Sequence, residues 1–600
     1  MLYNGEAIFG VIDFAHDARG ATQRAAEIAR RAGVLGGVVQ VTSFGSASLG
    51  VVQCKGMGTN SDISCLGRPI SAISCGELID RRVAGSHYRC EPARSAFLEK
   101  SLESVGEAFL EHLDGTFAAA IWNQSTQQLV LACDSRADCH LYYSFKNQQI
   151  TFSSWLPLLA NKSHEIDRQA VSEFLRFLYI AAPRTIYSGV FRIEAEHFLI
   201  ASQGKVETRQ VAPDQSGKGS IIDSQESSQV LAQFEFLFEQ AIRRRIDHRR
   251  AGVLLSSGVD SATLLAGCHK LNPGQVEAFT VGFDNLTNDE TNAARALASQ
   301  IGVPHTELRF GMSEYCAAFQ SVANGFDQPF GDPAGLALAL ACEAAKNKVD
   351  ILCDGTGSDG LFGAPMPRHL RFSLAASAKL PQPMRKEIAV RLKQFGGRRL
   401  APYASLFDFT DPEELFITWS GWTRDELADL LGTPVSFDGS GFYRIFRSSQ
   451  KLGGQELYDR IGVLPPDDSR FEAAGLTMAP IELPYHDLDL WTFVRNVPRE
   501  FRMAHNKTKV LLRWLFERYF GMGTEAAKKK YFNIPLANIL SNSNFALVRQ
   551  HLASENMNRH GFVDPKRAWP WIDRYLAGAE DLRFKVWALL MLHAWLDARN

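Results

Sequence analysis

The run Leu254-Leu255-Ser256-Ser257-Gly258-Val259-Asp260-Ser261 ends an apolar stretch in a short polar loop built to hold pyrophosphate. A helical pattern from Ala262 to Leu271 starts directly behind it. A helix opening there aims free N–H groups and the positive end of its dipole at an anion. Ser256, Ser257 and Ser261 add hydroxyl donors, Gly258 lets the backbone approach closely, and Asp260 offers an oxygen to the magnesium that accompanies a nucleotide. The chemistry implied is ATP cleaved between its α and β phosphates. The sequence has no Gly-x-x-x-x-Gly-Lys-Ser/Thr motif, which disfavours a kinase-like cradle for the γ-phosphate.

A second constellation, Asp354-Gly355-Thr356-Gly357-Ser358-Asp359-Gly360-Leu361-Phe362-Gly363, follows the apolar run Ile351-Leu352-Cys353. It contains Gly-x-Gly-x-x-Gly, but a dinucleotide site needs a helix beginning here and an acid about 20 residues on. Gly363, Pro365 and Pro367 break any helix, and the region near Leu380 is not acidic. The better account is a second strand end facing the first, with Gly355, Gly357 and Ser358 at the nucleotide and Asp359 completing the magnesium site begun by Asp260. A purely structural glycine turn is the bland alternative.

These loops need elements to hold them. Val253–Leu255, Glu277–Phe283 and Asp350–Cys353 read as strands alternating with helices, hence a parallel sheet with ligands at its carboxyl ends. Upstream, the short runs 7–12, 38–41, 117–122, 129–133 and 149–153 suggest a layered β-rich fold. Between the two lies a stretch rich in Gly, Ser, Asp and Gln from Ser202 to Gln229. It divides the chain into residues 1–210, a linker 211–228 and residues 229–600, and after about Pro480 the pattern is mainly helical. The length prior alone would suggest roughly four domains. The 64 basic and 66 acidic residues create no global field for nucleic acid or an anionic membrane. Ten cysteines without a Cys-x-x-Cys pair imply free thiols in a reducing cytoplasm. No signal peptide is expected, and the apolar runs 335–341 and 586–592 are too short to span a bilayer. Nine basic residues against the single acid Glu387 between Arg368 and Arg399 read as an exposed helical face or as a contact for an acidic peptide.

Taken with their surroundings, the two loops resemble those of the asparagine synthetase superfamily. In the N-terminal part the similarity rests on Ile8-Phe9-Gly10-Val11, Gly76-Glu77, Leu113-Asp114-Gly115-Thr116-Phe117, Leu141-Tyr142-Tyr143 and Arg184-Thr185-Ile186. Downstream it rests on Val281-Gly282-Phe283, Asp289-Glu290, Asp327-Gln328-Pro329-Phe330, Asp332-Pro333, Pro484-Tyr485-His486-Asp487, Lys509 with Leu512-Arg513, and Lys529. The resemblance implies an α/β protein: a glutamine amidotransferase-like αββα sandwich of the Ntn type, then a PP-loop synthetase domain like the adenine-nucleotide α-hydrolases, with a helical C-terminal part. It also implies that Leu254, Val259 and 281–283 join the nucleotide site, that Lys509 and Arg513 bind phosphate, and that Lys529 stabilises the tetrahedral oxyanion. Lys528 and Lys530 compete with Lys529, and a solvated basic turn is the bland reading of all three.

Departures from the family sharpen the expected activity. Glu6 stands where the family's nucleophilic cysteine is matched, and Cys75 replaces the asparagine that holds glutamine, so glutamine hydrolysis is expected to be lost. Cys75 itself reads as a bystander thiol. Gly360 follows Asp359 where asparagine synthetases carry a glutamate, and Thr356 replaces an acid. Such glycine-rich versions resemble the lasso-peptide macrolactam synthetases. These use ATP and magnesium to adenylate a side-chain carboxylate of a precursor peptide and close a ring with its N-terminal amine. A maturation protease and a leader-peptide-binding protein are the partners this implies. Alternatives are an ammonia-dependent asparagine synthetase, a small-molecule cyclase similar to β-lactam synthetase, and a catalytically silent peptide-binding scaffold.

Overall fold

A computed structural model describes residues 5–54, 69–82, 94–160, 164–211, 227–283, 290–363, 365–395, 401–409, 412–416, 421–449, 451–452, 454–461, 468–504, 507–524 and 534–599. The N-terminal part contains two antiparallel sheets. One has the order β2-β3-β1-β8-β7-β9, from β1 (Glu6–Asp13), β2 (Gly37–Phe44), β3 (Ala47–Cys54), β7 (Tyr142–Lys146), β8 (Gln149–Ser153) and β9 (Phe191–Arg192). The other has the order β11-β10-β6-β5-β4, from β4 (Ile70–Asp80), β5 (Leu113–Asn123), β6 (Gln128–Cys133), β10 (His197–Ser202) and β11 (Lys205–Gln210).

Side-chain alternation shows why these strands are buried on both faces. From β1, Ile8 and Ile12 point at Ile73, Ala118 and Leu131 of the facing sheet. Ala7, Phe9 and Val11 point the other way, onto Ala21, Ala25 and Ile28 of the helix Ala18–Val34. The second sheet repeats the pattern, with Ala72, Phe117 and Ala119 under Leu98 and Leu102 of the helix Arg94–Val105. The result is helix, sheet, sheet, helix, the sandwich the resemblance implied. The compositional break hides one element: β11 lies inside it, an edge strand whose largely exposed residues carry no apolar alternation. Residues 212–226 of the expected linker lie outside the described residues.

Downstream, an all-parallel sheet runs β14-β13-β12-β15-β16, from β12 (Ala251–Leu254), β13 (Val276–Phe283), β14 (His305–Phe310), β15 (Ile351–Cys353) and β16 (Ile481–Glu482). From β12 the chain builds outward to β14, then returns to place β15 on β12's other edge. Strand order therefore reverses between β12 and β15, the position where open α/β sheets bind ligands. The helix expected from Ala262 begins earlier, at Val259, and runs to Leu271. Among the described residues no helix is long and apolar enough to cross a membrane. The basic interval folds as helices Arg368–Ala375 and Gln382–Phe395, in which Lys386 pairs with Asp425 and Arg391 with Glu387. Arg385 is buried over the Phe409 ring, so that position is not a surface charge.

The two parts share a polar seam. Arg245, 1% exposed, donates to Asp487 at 2.8 Å and lies 3.7 Å from both Asp114 and Glu482. Arg81 reaches Asp489, and Arg249 reaches Glu77 at 2.8 Å. The C-terminal helix Arg583–Asp597 is buried through nearly its whole length, with Trp587 bonded to the Gly331 carbonyl and Trp595 to that of Phe326.

Candidate active site

The two loops meet at the switch point because Val253 of β12 pairs with Cys353 of β15 and each strand stops at once. Leu254 is the last residue of β12, and beyond it the Leu255 amide bonds to the Phe279 carbonyl of β13 at 2.7 Å. That ties in Val281, Gly282 and Phe283, the carboxyl end of β13. Within the first loop the Ser256 and Ser261 hydroxyls bond each other at 2.9 Å, and the Ser257 amide donates to Glu290 at 3.1 Å. Gly258 caps the helix that starts at Val259, and no side chain caps its first-turn amides.

The two loops touch each other at a different glycine, Gly355. Gly258 has ordinary extended geometry, φ −83° and ψ 154°. A Cβ at Gly355 would stand 3.2 Å from the Ser261 amide nitrogen, so it is Gly355 that lets the second loop lie against the start of the helix. Gly357 is left-handed, φ +92°, and a side chain there would collide with the His486 ring. A helix does begin in this motif, against the expectation that none could, but it spans only Ser358–Phe362 and ends at the left-handed Gly363. One turn is too short for the dinucleotide arrangement, so rejection of that reading stands on different grounds.

Lys509 joins the loops. It sits between β18 (Lys507–Thr508), paired with β17 (Met503–Ala504), and the helix Val510–Phe520, in a left-handed conformation with φ +59°. Its ammonium lies 2.6 Å from both oxygens of Asp260, 2.6 Å from Asp359 and 3.2 Å from the Ser358 hydroxyl. The two carboxylates read as magnesium ligands thus converge on one buried cation. Arg513, one turn on, bonds through Nε to the Thr508 carbonyl at 2.8 Å. Lys528, Lys529 and Lys530, and Asp289, lie outside the described residues.

Several supports carry no spacing signal, because their partners are 114 to 348 positions away. Tyr485 donates to the Asp260 carbonyl at 2.9 Å, and burial pushes its phenol well up. His486, pressed on Gly357, bonds Asp138 of the N-terminal part at 2.5 Å. Arg470 donates to Thr356 at 3.0 Å and lies 3.4 Å from Asp332. The Pro484-Tyr485-His486-Asp487 and Asp332-Pro333 matches marked these places without revealing what the residues do.

At the position matched to the family's nucleophile, Glu6 is buried and lies 3.4 Å from Arg94, which also donates to the Gly76 carbonyl. Cys75 is buried against Cys139 at 4.0 Å and Ser154 at 3.5 Å. All eight cysteines among the described residues are free. His140, Asp327 and Glu472 have metal-ligand spacing, within 4.8 Å and buried. They already form a hydrogen-bonded cluster through Tyr142, with Arg599 as a neighbouring cation.

A family model described as asparagine synthase matches residues 233–597, more than half of the chain. The chain belongs to the asparagine synthase family. A second model, described as a glutamine amidotransferase domain, matches residues 86–211. The chain is similar to asparagine synthetase (glutamine-hydrolyzing) 1 of Bacillus subtilis, 22% identical over 80% of this chain and 77% of that one. It is likewise similar to a putative asparagine synthetase (glutamine-hydrolyzing) of Mycobacterium tuberculosis, 24% identical over 82% and 77%. Amidase chyE of Penicillium rubens is 22% identical over 76% and 75%. The protein is an ATP-dependent carbon–nitrogen ligase that produces AMP, with an N-terminal amidotransferase-type sandwich and a PP-loop synthetase domain.

Proposed function

We propose that this ligase closes a macrolactam in a lasso precursor peptide, adenylating a side-chain carboxylate and joining it to the peptide's own N-terminal amine. The observation that carries this reading is the Glu6–Arg94 pair, buried where a glutaminase would present its thiolate. A carboxylate at that place is no nucleophile toward an amide, and the Cys75 thiol is buried against a second thiol and a hydroxyl. The nitrogen then comes from something other than glutamine. Gly360 and Thr356 agree, since each stands where asparagine synthetases carry an acid.

The carboxylate of the substrate attacks the α-phosphorus, giving an acyl-adenylate and pyrophosphate. The Ser256–Ser261 loop and the first-turn amides behind Gly258 hold the pyrophosphate, aided by Lys509 and Arg513. Magnesium fits the donor set: two converging carboxylates, Asp260 and Asp359, beside the Ser358 hydroxyl, all hard oxygens. Bound there, it offsets charge on the phosphate oxygens. The peptide amine then attacks the mixed anhydride, with Lys529 assigned to the oxyanion and the departing AMP. Holding amine and activated carbonyl together supplies much of the rate. A leader-binding protein and a maturation protease complete the proposed pathway.

The test combines purified protein, ATP, magnesium and a candidate core peptide with a free amine and an acidic ring residue. Loss of one water from the peptide with matching AMP release, seen by mass spectrometry, supports the proposal. Turnover of aspartate with ammonia and of no peptide overturns it.

A further inference from the structure

Beside the Lys509 centre lies a pocket of about 380 Å³, bounded by the same two chain segments. Thr508, directly before Lys509, forms one wall, and Pro365, just beyond the Asp359 turn, forms the other. Among the described residues Met503 and Ala504 line it with apolar surface, Arg499 and Lys507 with positive charge, and Glu500 with an acid. Arg502 and Arg495 stand behind, each held below its ordinary value first by burial; a facing arginine adds to this in both, Arg502 for Arg495 and Arg499 for Arg502. Asp459 and Glu456 offset part of that charge. Arg495 also reaches the Gly360 carbonyl at 3.5 Å. A glutamate at 360 would place a further acid within this group, and glycine adds none.

We propose that this pocket binds a carboxylate of the acyl-donor substrate other than the one activated, a second acidic side chain in a peptide. The inference rests on the peptide reading above and names which part of the peptide is gripped. A volume at the small end for ligand pockets suits one or two residues rather than a whole nucleotide. Mixed apolar and cationic walls suit a side chain with a methylene stem and a charged tip, whereas a phosphate would gain nothing from Met503, Ala504 and Pro365.

The probes are an acetylated, amidated tetrapeptide alternating glycine and glutamate, its glutamine counterpart, and a non-hydrolysable ATP analogue, titrated separately on the full chain. The wild type should bind the acidic peptide at least tenfold tighter than the amide peptide. Arg499→Gln with Lys507→Gln, both exposed positions, should bring that ratio near one and leave the nucleotide Kd within twofold. The proposal is overturned if the wild type shows no preference, if the ratio survives in the variant, or if nucleotide affinity falls in parallel with peptide affinity, which would make this a phosphate site. Failure of the wild type to close any macrolactam would sink the proposed function and leave these binding ratios intact.

Discussion

Lys509 is the buried cation shared by two carboxylates, the largely buried Asp260 and the exposed Asp359. Replacing it with methionine keeps the bulk and removes the ammonium that Asp260 and Asp359 share. AMP release should fall on the order of 100-fold or more, the cost of losing one preorganised charge. Chromatographic assay of AMP checks this, with circular dichroism to confirm the fold, and a variant within a few-fold of wild type would remove Lys509 from the site. Gly357→Ala should be harsher than its size suggests, since it combines a left-handed backbone with a collision at His486. It should lower the melting temperature and AMP release together. Most of the residues in the two loops that meet at Lys509 were legible because they are consecutive: 256–261 and 354–359 each announce a strand end and a turn. Tyr485, His486 and Arg470 were not, since a residue that acts by reaching across the fold leaves no local spacing.

Among elements, the strands with clear period-two patterning were legible to within a few residues, as in Gln149–Ser153, read at its observed bounds. β3, β4 and β10 were not singled out, and β4 shows why. Buried at all eleven positions, it has no polar face to alternate with. The C-terminal helix Arg583–Asp597 is buried on nearly every side for the same physical reason, packed between the helix Met312–Gly325 and the N-terminal part. Trp595 lies at that contact, fully buried, its ring near Tyr187 and its indole N–H on the Phe326 carbonyl. Trp595→Ala should cost about 3–5 kcal/mol, seen as a lower urea midpoint. A midpoint unchanged from wild type would mean that the helix is not part of the cooperative core.

At the scale of the whole molecule, the seam between sandwich and synthetase is built from buried charges. Arg245→Met would remove the buried cation shared by Asp114, Asp487 and Glu482 and leave Asp487 its pair with Arg244, which should cost about 3–5 kcal/mol, measurable by denaturant titration. The seam also titrates. Burial, with Asp138 beside it, pushes the Asp134 carboxyl up to about 8. Its unfolded value is near 4. The folded state therefore binds this proton more tightly, so the stability it contributes is full below about pH 4 and is lost as pH rises through about 8. Between pH 6 and 9 the wild-type melting temperature should fall more steeply than that of Asp134→Asn, and equal slopes would refute the assignment. The order of the two domains was readable from composition and motif order, but not their mutual dependence, since His486 and Asp138 lie 348 residues apart. Through that bond the sandwich braces the residue that presses on Gly357, and so shapes the turn presenting Ser358 and Asp359. A module retained for its reagent can be discarded once the reagent is obtained elsewhere. One that has become masonry for its neighbour's active site cannot, and residues 1–210 should prove inseparable from the ligase they precede.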